Sequence, residues 1–116
     1  MGATVVKFDD LAGNPERAWK FEGADMGSTV SGFISHHQPG EGPQLHRHPY
    51  EETFVCLEGQ ATFEADGEET VVGPGHIVVV PPGAAHKFTN TGEGRLRQVS
   101  IHPNERVQQE DLGEPT

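Results

Sequence analysis

Basic residues are scarce in this chain. Lysine and arginine together number 8 against 18 aspartates and glutamates, which gives a formal net charge of −10. Nucleic acids and anionic membrane surfaces are bound through basic patches, so this balance argues against both as partners. Long apolar runs are also missing: none approaches the length of a membrane span, and residues 1–8 do not have the pattern of a signal peptide.

Cysteine is nearly absent as well. The single Cys56 cannot form an internal disulfide, and without an evident export signal we expect the protein in the cytoplasm. No basic residue near it in the sequence would activate its thiol, so Cys56 is expected to be a small buried hydrophobe. A phosphate-binding loop, a nucleophilic triad and an attached helix-turn-helix segment are not recognisable either. The last of these absences argues against a transcriptional sensor.

Glycine and proline are plentiful and scattered, with 15 and 9 residues in a chain of 116. This pattern favours many short strands joined by tight turns, and no segment predicts a long helix. We predict an all-β barrel or jelly roll of about eight to ten strands. Residues 1–116 form one domain, with a barrel core over about 29–102, an N-terminal strand and loop over 1–28, and a polar tail over 103–116.

Alternation of apolar and polar residues and the turn signals between them place the individual strands. The predicted strands are Thr4–Phe8, Thr29–His37, Thr53–Leu57, Ala61–Ala65, Glu68–Val72, Ile77–Val80, His86–Asn90 and Leu96–His102. Asp66-Gly67 is a strong two-residue hairpin signal, because both turn positions need positive φ. The tail is expected to be peripheral, with at most one helical turn.

Two of these strands, Thr53–Leu57 and Ile77–Val80, are apolar on both faces. A strand of this kind needs a second layer over each face, and a small barrel covers only one. We therefore expect a homodimer in which a second copy covers the other face.

A metal site is outlined by His46, His48 and Glu52, which follow a Gly/Pro-rich loop. Alternate side chains of a strand point to one face, so these three residues of the same parity can reach one cavity. Imidazoles and carboxylates ligate metals, but a fourth ligand is missing from this stretch. His86 starts a strand after a Pro-Pro-Gly turn and can enter a barrel from the opposite sheet. The alternative is a hydrogen-bonded polar cluster, which would be costly in an apolar barrel without a cation.

These residues give the sequence a resemblance to the cupins. The two cupin motifs are matched at ten positions: Gly40, His46, His48, Glu52, Gly59, Gly75, Pro81, Gly83, His86 and Asn90. The motifs span about half of the chain, and ten positions at fixed spacing are far more specific than His-x-His alone. One departure is His76, where the family usually has aspartate; we expect this residue in a surface turn, away from the metal.

The resemblance implies a double-stranded β-helix, or jelly-roll barrel, that binds one divalent transition metal through His46, His48, Glu52 and His86. Fe, Mn, Ni, Co, Cu and Zn all suit this mixed ligand set. The resemblance also implies that Glu52 can act as a catalytic base, and that small cupins commonly dimerise, often by lending an N-terminal strand.

Further residues are candidates for lining the pocket around the metal. They are Gln44, Tyr50, Phe54, Cys56, Phe88 and His102. Plain core packing is the preferred interpretation for the two phenylalanines and Cys56, and Tyr50 is either a hydrogen-bond donor at the site entrance or a packing residue. His102 is expected at the rim. His36 and His37 are expected to face solvent or to lie behind the ligands.

A metal with open coordination positions is typical of a catalytic site. Two adjacent open positions favour a dioxygenase that acts on a small organic molecule, which is also the chemistry best attested for this ligand set in the cupins. The alternatives are a non-redox isomerase or decarboxylase and a non-catalytic binding protein, because one fold hosts many activities. The sequence leaves open whether the protein is an enzyme.

Overall fold

Two antiparallel sheets make up the chain. The structure is a computed structural model that describes residues 2–114 and 116. Eleven strands lie in this part of the chain: β1 Ala12–Asn14, β2 Ala18–Phe21, β3 Ser31–His37, β4 His46–Arg47, β5 Glu52–Glu58, β6 Ala61–Ala65, β7 Glu68–Val72, β8 Ile77–Val80, β9 His86–Asn90, β10 Leu96–His102 and β11 Glu110–Asp111. One sheet has the order β1-β2-β3-β10-β5-β8 and the other β11-β4-β9-β6-β7. This is the predicted all-β jelly-roll class.

Seven of the eight predicted strands form, to within two residues at either end. The β6–β7 hairpin also forms as predicted: Asp66 and Gly67 have φ values of 47° and 81°, the left-handed region that a two-residue turn of this kind requires. Local turn chemistry and the alternation of side chains are therefore sufficient to place most of the barrel.

The predicted strand Thr4–Phe8 does not form. Residues 2–7 have no strand partner, Val5 is 86% exposed, and Phe8–Asp10 is a turn of 3₁₀ helix. The edge of this sheet is instead β1, which pairs with β2 through Gly13 and Trp19. Propensity alone cannot make a strand where no edge is within reach.

The tail is also more structured than expected. Strand β11 pairs with β4, placing Glu110 opposite Arg47 and Asp111 opposite His46. The Arg47 guanidinium donates two hydrogen bonds of 3.0 Å to the Glu110 carboxylate. The tail therefore lies beside the strand that carries the first predicted metal ligand.

The core lies between the sheets, where alternate residues of β5, β6, β9 and β10 are buried. Phe54, Phe63 and Phe88 form an aromatic cluster with ring centroids 4.9–5.7 Å apart. On the opposite face of the first sheet, Ile77 and Val79 are 67% and 60% exposed. Within the described residues, no helix has the length and apolar character needed to cross a membrane.

Candidate metal centre

The four predicted ligands meet at one point inside the barrel. His46 lies in β4, His48 just after it, Glu52 at the start of β5 and His86 at the start of β9. His46 and His86 are cross-strand partners, so the β4–β9 pairing itself brings two imidazoles together. All four side chains are buried, and each offers one ligand atom within 4.8 Å of the others.

Distances around the Glu52 carboxylate fit a metal ion. Its Oε1 lies 2.9 Å from His86 Nε2, 3.1 Å from His48 Nε2 and 4.0 Å from His46 Nε2. On an ion with bonds of about 2.1 Å, neighbouring ligands lie about 3 Å apart and opposite ligands about 4.2 Å apart. The ligand atoms are therefore already spaced as a first coordination sphere requires.

Hydrogen bonds to the far side of each ring determine which nitrogen faces the centre. The Nδ1 atoms of His46, His48 and His86 lie 2.6, 2.7 and 2.9 Å from the backbone carbonyls of Gln44, Gln108 and Ala84. A carbonyl only accepts, so each Nδ1 carries a proton, and in the neutral tautomer this leaves Nε2 free to bind a metal. This is the arrangement that fixes histidine as a metal ligand.

With neutral rings and no cation, the contacts of Glu52 Oε1 with His86 and His48 would bring acceptors together with no donor between them. Three bare Nε2 atoms face a carboxylate oxygen, and His48 Nε2 is buried without a hydrogen-bond partner although it is 3.1 Å from Glu52. Buried acceptors left in this way cost free energy. The donor set therefore fits a divalent ion, which the carboxylate and three imidazoles would hold.

The second oxygen of Glu52 is held by His102. His102 Nε2 donates a 2.9 Å hydrogen bond to Oε2, and the Tyr50 hydroxyl donates to His102 Nδ1 at 2.7 Å. The Gln108 backbone N–H in turn donates to the Tyr50 oxygen at 3.1 Å. The prediction of His102 at the rim is wrong: it is 0% exposed, because it shares the inward parity of β10. Tyr50 is a hydrogen-bond donor, as one of its two interpretations proposed.

Electrostatics keep the Glu52 carboxylate charged and the His46 ring, the farthest of the three from Glu52 Oε1, neutral. Burial acts to raise the pKa of Glu52, but its contacts with His102, His48 and His86 outweigh burial and hold the pKa well below its usual range. Burial lowers the pKa of His46 to about 4. At neutral pH, the centre therefore combines an ionised carboxylate with a neutral imidazole at position 46.

A cavity of about 270 Å³ adjoins the centre and includes His46 and Glu52 in its wall. The rest of the interior wall consists of Phe33, Ser35, His37, Phe54, Phe88 and Ser100, and Ala18, Pro43, Gln44 and Gln109 complete the lining. Gln44 and both predicted phenylalanines thus line the cavity.

The other three candidates, Tyr50, Cys56 and His102, do not line this cavity. Cys56 is buried beneath it and donates to Gln98 Oε1 at 3.1 Å, while Tyr50 acts through His102. Sequence reasoning missed Ser35 and Ser100, and of its two alternatives for His37 the solvent-facing one is wrong, because His37 is 5% exposed and lines the cavity. The inward parity of β3 and β10 is the signal that could have found all three.

Comparison with known proteins adds an independent line of support. The family described as "Cupin domain" matches residues 33–102. Protein SchB of Streptomyces halstedii is 32% identical over 118 residues, which cover 96% of this chain and 84% of that protein. Quercetin 2,3-dioxygenase of Bacillus subtilis is 46% identical over 44 residues, which cover 37% of this chain and 13% of that enzyme.

Among solved structures, oxalate decarboxylase of Bacillus subtilis aligns over 97% of this chain with a TM-score of 0.82. At 18% identity, this likeness concerns the fold alone, and the present chain spans 32% of that chain.

Proposed function

The chain belongs to the cupin family, and from this premise we propose that it is a metal-dependent enzyme of the dioxygenase type acting on a small organic molecule. The observation that carries the proposal is the convergence of three bare imidazole nitrogens and one carboxylate oxygen beside a cavity. Fe, Mn, Ni, Co, Cu and Zn all suit this set. When bound, a redox-active ion of this group supplies Lewis acidity for a substrate oxygen and a site for dioxygen.

Each residue of the centre has a distinct role in this proposal. His46, His48, His86 and Oε1 of Glu52 hold the ion, and the backbone carbonyls behind the three rings keep their Nε2 atoms facing it. His102 holds Oε2 and prevents the carboxylate from turning. Glu52 is ionised, so its carboxylate would accept the proton of a substrate hydroxyl when Oε1 no longer holds the ion. The phenylalanine walls exclude water from the reacting groups.

One relative supports the dioxygenase type, while the non-redox alternatives remain compatible with the comparisons. A segment of this chain is similar to an enzyme named as a quercetin 2,3-dioxygenase, although it covers only a small share of that protein. SchB, which matches nearly the whole chain, has a name that states no reaction. The dioxygenase assignment therefore depends on the site chemistry together with a partial likeness.

Metal binding is tested by elemental analysis of protein purified without chelator. We expect about one transition-metal ion per chain and its loss on changing His46, His48 or His86 to Ala. His36→Ala is the matched control, because the His36 ring bonds the Pro15 carbonyl at 2.7 Å and is not part of the centre. Protein that neither contains nor takes up any of the six metals contradicts the proposal.

Oxygen consumption tests the reaction type. Protein loaded separately with Fe(II), Mn(II), Ni(II) or Cu(II) is supplied with flavonols, diketones and catechols, and at least one combination should consume dioxygen. Turnover of a compound without oxygen uptake, and with Zn(II) as active as the redox metals, would indicate a non-redox isomerase or decarboxylase. If fully metal-loaded protein neither consumes oxygen nor converts any of the compounds, the result would indicate a non-catalytic binding role.

A further inference from the structure

We propose that the cavity takes a neutral molecule built on a single aromatic ring, with oxygen substituents that reach the metal centre at one end and Ser100 at the wall. This inference rests on the proposed function, because it names the substrate class of the same site. The size, the wall chemistry, the charge and one unpaired hydroxyl of the cavity each restrict the ligand.

The size of the cavity limits the ligand to about one substituted ring. Its volume is about 270 Å³. An apolar cavity of about 150 Å³ holds benzene, so proportional scaling allows about eleven non-hydrogen atoms here. A three-ring flavonol has about twice that number and would have to displace the walls or remain partly outside.

The wall chemistry favours a flat ring. Phe33, Phe54 and Phe88 line the cavity, and the latter two meet edge to face with centroids 5.7 Å apart. Aromatic side chains prefer to contact other rings edge-on or offset, which adds to the gain from burial alone. A planar ring therefore suits this space better than a branched or sugar-like molecule.

The charge of the lining argues against an anionic ligand. No lysine or arginine contributes to the lining within the described part of the chain, whereas Glu52 adds a negative charge. Arg17, whose charge influences His37, is paired with Glu41 at 3.2 Å. A carboxylate or phosphate held away from the metal would thus be desolvated without a counter-charge.

Ser100 supplies a specific hydrogen-bonding position. Its Oγ has no partner, although the residue is only 4% exposed and lines the cavity. It precedes His102 by two residues on β10, which places it about 7 Å along the strand from the row that holds Glu52. His37 Nδ1 is a second unpartnered atom in the lining. Buried polar groups are normally satisfied, so these two indicate polar atoms on the ligand.

Ser35 provides the internal comparison. It also lines the cavity and is 6% exposed, but its Oγ already donates to the Gln98 carbonyl at 3.3 Å. Removing the Ser35 hydroxyl therefore alters the cavity volume as much as removing that of Ser100, without removing a free hydrogen-bonding group.

Calorimetric titration under anaerobic conditions tests the inference on metal-loaded protein. The ligands are 2-hydroxyacetophenone, its isomers with one further ring hydroxyl, an analogue with a ring carboxylate, and a flavonol. We expect the neutral single-ring compounds to bind at least tenfold more tightly than the flavonol and the carboxylate. One hydroxyl isomer should bind more tightly than the parent compound. Ser100→Ala should weaken the binding of that isomer about fivefold, as expected for the loss of one net hydrogen bond.

Ser35→Ala should leave the isomer preference unchanged, and Ser100→Cys provides a second variant of nearly the same shape. Tighter binding of the flavonol or the carboxylate, or an isomer preference that survives Ser100→Ala and Ser100→Cys, would overturn the inference.

Metal content measured on the same samples separates the two proposals. Fully loaded protein that binds none of the ring compounds overturns the substrate class but not the metal centre. Protein that takes up no metal overturns the proposed function, and the comparison of Ser100→Ala with Ser35→Ala then decides the inference on the metal-free protein.

Discussion

Removing the hydroxyl of Tyr50 is the most informative single perturbation of the centre. In Tyr50→Phe, the ring keeps its place parallel to His48, with centroids 5.3 Å apart, but His102 Nδ1 loses its donor at 2.7 Å. The Gln108 N–H loses its acceptor too, yet this residue is exposed and water can replace it. The perturbation is therefore confined to one buried nitrogen and to what that nitrogen holds in place.

Two magnitudes follow from this contact. His102 is fully buried, and a buried polar atom left unsatisfied costs about 1–3 kcal/mol of the free energy of unfolding. Without the tyrosine donor, His102 can also move its proton to Nδ1, which would end its 2.9 Å hydrogen bond to Glu52 Oε2. Loss of such an outer contact typically weakens metal binding about 10–100-fold.

Metal affinity of Tyr50→Phe is measured by competition with a chromophoric chelator, and stability by urea unfolding of metal-free protein. Thr62→Val is the matched control, because it removes a hydroxyl that bonds Thr91 Oγ1 at 2.9 Å on the same barrel, outside the centre. Unchanged affinity and unchanged unfolding in Tyr50→Phe would refute the idea that Tyr50 positions Glu52 through His102.

Three further predictions concern other parts of the barrel. Burial and the nearby Arg17 lower the pKa of His37 from 6.5 to about 4, so the unfolded chain binds this proton at a higher pH than the folded chain does. The free energy of unfolding should therefore fall by on the order of 1–3 kcal/mol as the pH drops from 6.5 towards 4. Unfolding of His37→Asn measured over the same pH range should show a smaller fall. The exposed apolar face suits a second copy, so light scattering at micromolar concentration should give a dimer and Val79→Glu a monomer; a monomeric parent would contradict this. A chain ending before Gln108 loses the carbonyl that holds His48, so its affinity for metal should fall at least tenfold; equal affinity would contradict the role of the tail.

The metal ligands were accessible to sequence reasoning because their geometry is encoded locally. His46 and His48, two residues apart, share a direction, whereas Glu52 starts β5 in the other sheet and is brought to the same point by the short connection from β4. The Pro-Pro-Gly turn sets the start of the strand that carries His86. Turn chemistry similarly predicts the Asp66-Gly67 hairpin. These features depend on residues close together in sequence, so pattern and propensity are sufficient.

What sequence reasoning missed depends on contacts between distant segments. His102 and Glu52 are fifty positions apart, and only the β10–β5 pairing brings them together. The pairing of the polar tail with β4 has no hydrophobic signal, because backbone hydrogen bonds and an exposed ion pair hold it. The segment Thr4–Phe8 shows the opposite case: its strand propensity is real, but no strand among the described residues pairs with it.

Gln108 has a consequence for how much this protein can vary. Its backbone serves the centre twice, through a carbonyl that orients His48 and an N–H that anchors Tyr50, while its own side chain is exposed. Nineteen of the twenty amino acids supply both groups, and proline alone lacks the N–H. Position 108 should therefore tolerate almost any side chain and still reject proline, so part of the metal centre is invisible to any search for chemically reactive residues.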